Sequence, residues 1–134
     1  MQQNVADYAK AIQAHLKTVV GVVPVYASFN RNWADEPKFV TWQLRNVHQE
    51  VYTGIYQNNK GIDRPVFQIS VFAITMQECF ELSNTIIQAM HGYTGMIGGT
   101  LPISKADVNM LYNSYDDTIN LFSVFLDCTL DIPC

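Results

Sequence analysis

Between Asp63 and Gly92 the hydrophobic period changes once, and that change restricts the fold more than any other feature of the chain. Phe67, Ile69, Val71 and Ala73 alternate with Gln68 and Ser70, the period of two that belongs to a half-buried strand. Then Met76, Cys79, Phe80, Ser83, Ile86, Ile87 and Met90 recur at steps of three and four, one stripe of an amphipathic helix. Thr75 and Glu78 have the spacing of a capping box, which satisfies two orphan N–H groups at a helix start. His91 falls in the last turn and Gly92 at the position where a glycine ends a helix. The stretch predicts one strand that delivers one helix onto a sheet.

The flanking segments extend this pattern. Asn4 is placed to cap a first helix, with Asp7 in its first turn and Lys17 near its end, where each complements the helix dipole. Val5, Tyr8, Ala9, Ile12, Leu16 and Val19 keep helical spacing, and Gly21 closes the segment. Residues 22–27 read as an edge strand or extended connector, because Pro24 has no N–H for a ladder. Residues 28–37 read as a polar loop carrying Trp33. Residues 38–45 alternate again, with Val40, Trp42 and Leu44 opposite Phe39, Thr41, Gln43 and Arg45. Residues 47–56 read as a second strand with a bulge position at Gly54, and 57–63 as a loop. The glycine-rich 93–99 segment predicts an irregular crossing without a phosphate-loop pattern. Then come a short or edge strand over 100–107, limited by Pro102, a strand over 108–115, a turn at Tyr115-Asp116-Asp117, and a final strand over 118–130. That last strand sets Phe122, Val124, Leu126 and Cys128 on one face and Phe125 on the polar one. The expected class is α+β: a mostly antiparallel sheet with two helices packed on one face, in a single domain spanning 1–134.

Charged residues make up 15% of the 134 residues and hydrophobic ones 49%, against roughly 25% charged in an average domain. Two readings fit: apolar surface covered by other subunits, or a compact domain whose surface is rich in amides and hydroxyls. The net charge is −4 and no Lys/Arg cluster occurs, so no face is expected to grip nucleic acid. Neither a secretory leader nor a membrane span is expected. Cys79, Cys128 and Cys134 have no metal-ligand spacing; the first two lie on apolar faces and read as buried free thiols, made in a reducing compartment.

Nothing in the sequence assembles a catalytic site. His15 and His91 end the two helices, where a cation complements the dipole, and His48 lies in a strand. Asp116-Asp117 reads as a turn and Asp63-Arg64 as a strand entry with local ion pairing. No zinc, nucleophile-elbow or dinucleotide pattern is present, so no catalytic residue, cofactor or metal is expected and the chain is not expected to be an enzyme.

Two blocks carry a family resemblance. Phe39, Val40, Thr41, Trp42 and Gln43 form the first; Arg64, Phe67, Gln68, Ile69, Ser70, Val71, Phe72 and Ala73 form the second. In this order, followed by a helix and a closing aromatic strand, they resemble the tail-completion or tail-terminator family of long-tailed bacteriophages over about residues 4–130. At the position of Ser70 the family usually carries an acidic residue. The resemblance implies a hexameric ring of identical subunits that caps the head-proximal end of the tail tube in the virion. Such a ring stops tube polymerisation, offers a docking surface to head–tail connector or neck proteins, and lets DNA pass through its lumen without sequence-specific binding. The chain would be made in the host cytoplasm, with no membrane partner.

The mechanism so implied is binding alone, through a head-to-tail interface that closes after a fixed number of copies. Aromatic and apolar residues at loop or polar-face positions make Trp33, Tyr52, Ile55, Tyr56 and Phe125 the candidate interface residues. The alternatives are another neck or head–tail connector ring subunit, and a small-ligand-binding or enzymatic α+β domain. Absence of convergent titratable residues argues against the last.

Overall fold

The computed structural model describes residues 5–28, 36–50, 62–99 and 101–133. In chain order they form α1 (Val5–Val20), β1 (Val25–Ala27), β2 (Lys38–Glu50), β3 (Ile62–Ala73), α2 (Met76–Met90), β4 (Gly95–Ile97), β5 (Leu101–Ile103), β6 (Lys105–Asp116) and β7 (Leu121–Pro133). A five-stranded sheet has the order β1-β2-β3-β7-β6, and β4 with β5 forms a separate hairpin. Among the described strands of this sheet only β1 runs parallel to its neighbour; the other pairings are antiparallel. The class is α+β, as the periodicities predict.

Alternation sorts the sheet into two faces. Val40 and Trp42 of β2, Phe67, Ile69, Val71 and Ala73 of β3, and Val124, Leu126, Cys128, Leu130 and Ile132 of β7 are buried against the helices. Tyr8, Ala11, Ile12 and Leu16 of α1 and Cys79, Leu82, Ile86 and Met90 of α2 cover them. Thr75 caps α2, its Oγ1 accepting the Glu78 N–H at 3.2 Å, and Gly92 follows the C-cap His91 with φ at +77°. Tyr8 donates its phenol to the buried Asp63 carboxylate, which ties α1 to the entry of β3.

Several expectations change. The strands read over 38–45 and 47–56 run on without a break through Glu50 as one strand, β2, whose irregularity lies between Leu44 and Asn46; residues 51–56, Gly54 among them, lie outside the described residues, as do Asn4 and Cys134. The irregular crossing contains β4, paired with β5, because glycines at its ends supply the positive φ angles a tight hairpin requires. β6 begins at Lys105 and runs through Asp116, so the turn falls at 117–120. Asp116 Oδ1 accepts the Thr118 N–H there, and Asn120 takes a left-handed conformation. On α2, Phe80 points outward and Leu82 takes the core position, since the helix rests on β3 and β7 through a stripe one residue further round.

The helix-end histidines have partners beyond their own helices: His91 Nδ1 accepts the Val108 N–H at 3.0 Å, and His15 lies beside the Tyr93 ring, where burial holds it below its ordinary 6.5. Arg64 pairs across the sheet with Asp131 at 3.1 Å, a long-range ion pair.

Two predictions test this packing. A Cβ on Gly98 would lie 2.8 Å from Ala11 Cα, at a φ of +58°, whereas Gly92 has open space around it at φ +77°. Gly98→Ala is expected to cost about 3 kcal/mol and Gly92→Ala about 1 kcal/mol, read from urea midpoints. Burial pushes the Cys79 thiol up to about 11 and the Cys128 thiol up to about 12, from 9.0. Their contribution to stability is therefore complete below pH 9 and lost as the pH rises through 11–12. Both thiols are expected to resist alkylation at pH 8 until denaturant is added, with labelled sites read by mass spectrometry.

Candidate assembly interface

The outer face of the sheet, away from the helices, carries aromatic rings on all five strands. Register explains how they meet. Phe39 on β2 stands opposite Phe72 on β3, and in that row Ser123 and Ser114 follow on β7 and β6. In the next row the arrangement reverses: Thr41 and Ser70 are followed by Phe125 on β7 and Tyr112 on β6. Each ring therefore has a small polar neighbour in the adjoining row to lean over.

The result is one continuous ribbon. Tyr26 meets Phe39 edge-on at 6.4 Å, and Phe39 stacks on Phe72 at 4.8 Å. Phe72 reaches diagonally to Phe125 at 6.5 Å, and Phe125 stacks on Tyr112 at 4.6 Å with the planes 25° apart. Direct and diagonal cross-strand pairs of this kind lie within reach of aromatic side chains. Phe39 is buried, Phe72 and Phe125 are half-buried, and Tyr112 is 54% exposed. Beyond the ribbon runs a polar row of Gln43, Gln68, Asp127 and Asn109. Asp127 Oδ1 is buried there with no hydrogen-bond partner among the described residues, an acceptor suited to a donor on a second chain.

The ribbon ends on β6, an open edge of the sheet. Among the described residues, four of the nine exposed large hydrophobic side chains lie in this strand: Met110, Leu111, Tyr112 and Tyr115. The register shifts between Met110 and Tyr112, and such a bulge at an edge re-aims the side chains around it. A long edge strand with exposed apolar residues is a template for contact with another chain.

Of the residues that the sequence nominates for an interface, Phe125 lies in this ribbon, on the outer face as its alternation implies. Trp33, Tyr52, Ile55 and Tyr56 lie outside the described residues. Alternation also places Phe72 on the outer face, whereas Tyr112 reaches it through the register shift after Met110, and only the pairing order of the strands brings both into one line with Phe125. Among the described residues no group of three or more His, Cys, Asp or Glu side chains is arranged to hold a metal ion.

No family model and none of the curated proteins matches this sequence. Solved structures do share its fold. A chain in the virion of a native gene transfer agent particle superposes with a TM-score of 0.64 at 12% identity, over 95% of this chain and 91% of that one. A sheath/tube terminator from an extracellular contractile injection system, in its extended state, superposes at 0.58 and 10% identity. That alignment covers all of this chain and spans 58% of the terminator's length. The likeness is one of fold, reached with little sequence in common.

The stacked pair yields a direct test of the ribbon. A double-mutant cycle on Phe125→Ala and Tyr112→Ala, followed by urea unfolding, is expected to give a coupling energy of about 1 kcal/mol. Additive effects would show that the two rings do not support each other.

Proposed function

We propose that this chain is a tail-terminator-like virion subunit, a single domain that forms a hexameric ring on the head-proximal end of a tail tube. The carrying observation is the fold likeness of this whole chain to 58% of a sheath/tube terminator, joined to an outer sheet face and an edge strand rich in partly exposed aromatic rings. The ring halts tube growth by occupying the growing face and offers its opposite face to the head–tail connector or neck proteins. DNA passes through the lumen without sequence-specific contact, consistent with a net charge of −4 and no basic cluster. No bond is made or broken in this work: the chain acts as a binding protein, without cofactor.

Ring closure requires a heterologous interface, in which one surface of each copy meets a different surface of the next. Phe125 belongs to an interface in this reading, and so do Trp33, Tyr52, Ile55 and Tyr56.

The test is tube growth. Adding the protein to polymerising tail-tube subunits is expected to shorten the tubes in proportion to its concentration, with a ring visible at one end by negative stain. Phe125→Ala is expected to keep its fold, at a cost of about 2 kcal/mol, and to shorten tubes less effectively. Tubes whose length ignores the wild-type protein at every concentration would contradict the termination role.

A further inference from the structure

The two edges of the five-stranded sheet differ in a way that specifies how one copy can meet the next. At the β1 edge, α1, β1 and β2 enclose an open groove of about 430 Å³. Its walls are largely apolar, formed by Ala9, Val25, Tyr26 and Trp42, and Lys10 stands at its rim. The floor is fixed by Gln13, whose amide donates to the Val25 carbonyl at 3.0 Å and accepts the Trp42 indole N–H. Tyr26 is held in place by its phenol, which donates to Glu36. Lys10 is exposed and makes no ion pair among the described residues; Lys17, two turns on, faces solvent from the same side of α1.

At the opposite edge the far half of β6 is exposed over its whole length. It presents Met110, Leu111, Tyr112 and Tyr115, then Asp116 and Asp117 at the hairpin tip. No Lys or Arg occurs anywhere from Ala106 to Cys134, so this arm is anionic as well as apolar. β1 is three residues long and follows Pro24, which makes it a poor template for a long added strand. Side chains entering the groove are the better fit. An aromatic residue flanked by carboxylates matches an apolar groove with a lysine at its lip.

We infer that the β6–β7 hairpin tip of one copy seats in the β1 groove of the next, with Tyr115 in the apolar part and Asp116 or Asp117 facing Lys10. Groove and arm lie on opposite edges of the same sheet, so the contact is head-to-tail and repeats from copy to copy. This joint rests on the ring reading above and names the surfaces that would close it.

Charge reversal tests the joint. Lys10→Glu alone, and Asp116→Lys with Asp117→Lys alone, are each expected to raise the concentration needed for assembly roughly tenfold, by light-scattering mass with and without tail tubes. All three changes in one chain are expected to restore assembly. All three side chains are exposed, so Lys10→Glu is expected to leave the urea midpoint unchanged; Asp116→Lys also loses the turn hydrogen bond to the Thr118 N–H, and a midpoint well above the working conditions separates lost assembly from lost folding. On wild-type rings, carbodiimide coupling is expected to link Lys10 to Asp116 or Asp117 of another copy, identified by mass spectrometry. Rings that form normally in both charge variants and give no such cross-link would overturn the joint and leave the ring reading standing. A wild-type chain that stays monomeric both alone and with tubes would overturn the ring reading, and the joint with it.

Discussion

The pairing of β3 with strands on both sides is the constraint on which the rest depends. β3 runs antiparallel to β2 along one edge and to β7 along the other, and its inner residues Phe67, Ile69, Val71 and Ala73 are fully buried. A slip of one residue would turn these four outward and drive Gln68 and Ser70 into the core. The same register decides the outer face. It sets Phe72 opposite Phe39 and one row away from Phe125, the diagonal on which the aromatic ribbon crosses the middle of the sheet. Core and outer surface are therefore products of a single alignment.

What the sequence reveals follows from how local each interaction is. The strand–helix unit of 63–92 is legible because period, N-cap and terminal glycine lie within a few residues of the groups they satisfy. Faces within a strand are equally legible, and Phe125 is found on the polar side by alternation alone. Partners across strands are not. Nothing in residues 93–103 announces that β4 and β5 pair, since the hairpin is held by glycine conformations and by contact with α1 at Gly98. The roles of His91 and Arg64 are hidden for the same reason: each is decided by a group many residues away, Val108 in one case and Asp131 in the other. Of the candidate surface, the position of Phe125 on the outer face was legible, while the ring contacts that continue it through Phe72, Tyr112 and Tyr26 needed the strand order.

The low charge content acquires a physical meaning once the faces are separated. The inner face of the sheet is spent on the helices, yet aromatic residues recur on the outer face and along the β6 edge, where an isolated domain gains less from them. Partly exposed rings stacked edge to edge hold their positions while keeping area in reserve for a second chain, a combination that suits a subunit of a repeating assembly. Conservation of this fold between structures with 10–12% identity is consistent with a sheet maintained by alternation and volume rather than by particular side chains.

The central claim is that the chain closes into a ring, and its mass in solution tests this most directly. Mass photometry of the purified protein, repeated with tail tubes present, is expected to show a discrete species near six times the 15.2 kDa chain, or rings seated at one tube end only. A chain that remains a 15.2 kDa monomer at every concentration and leaves the tubes bare would contradict the claim.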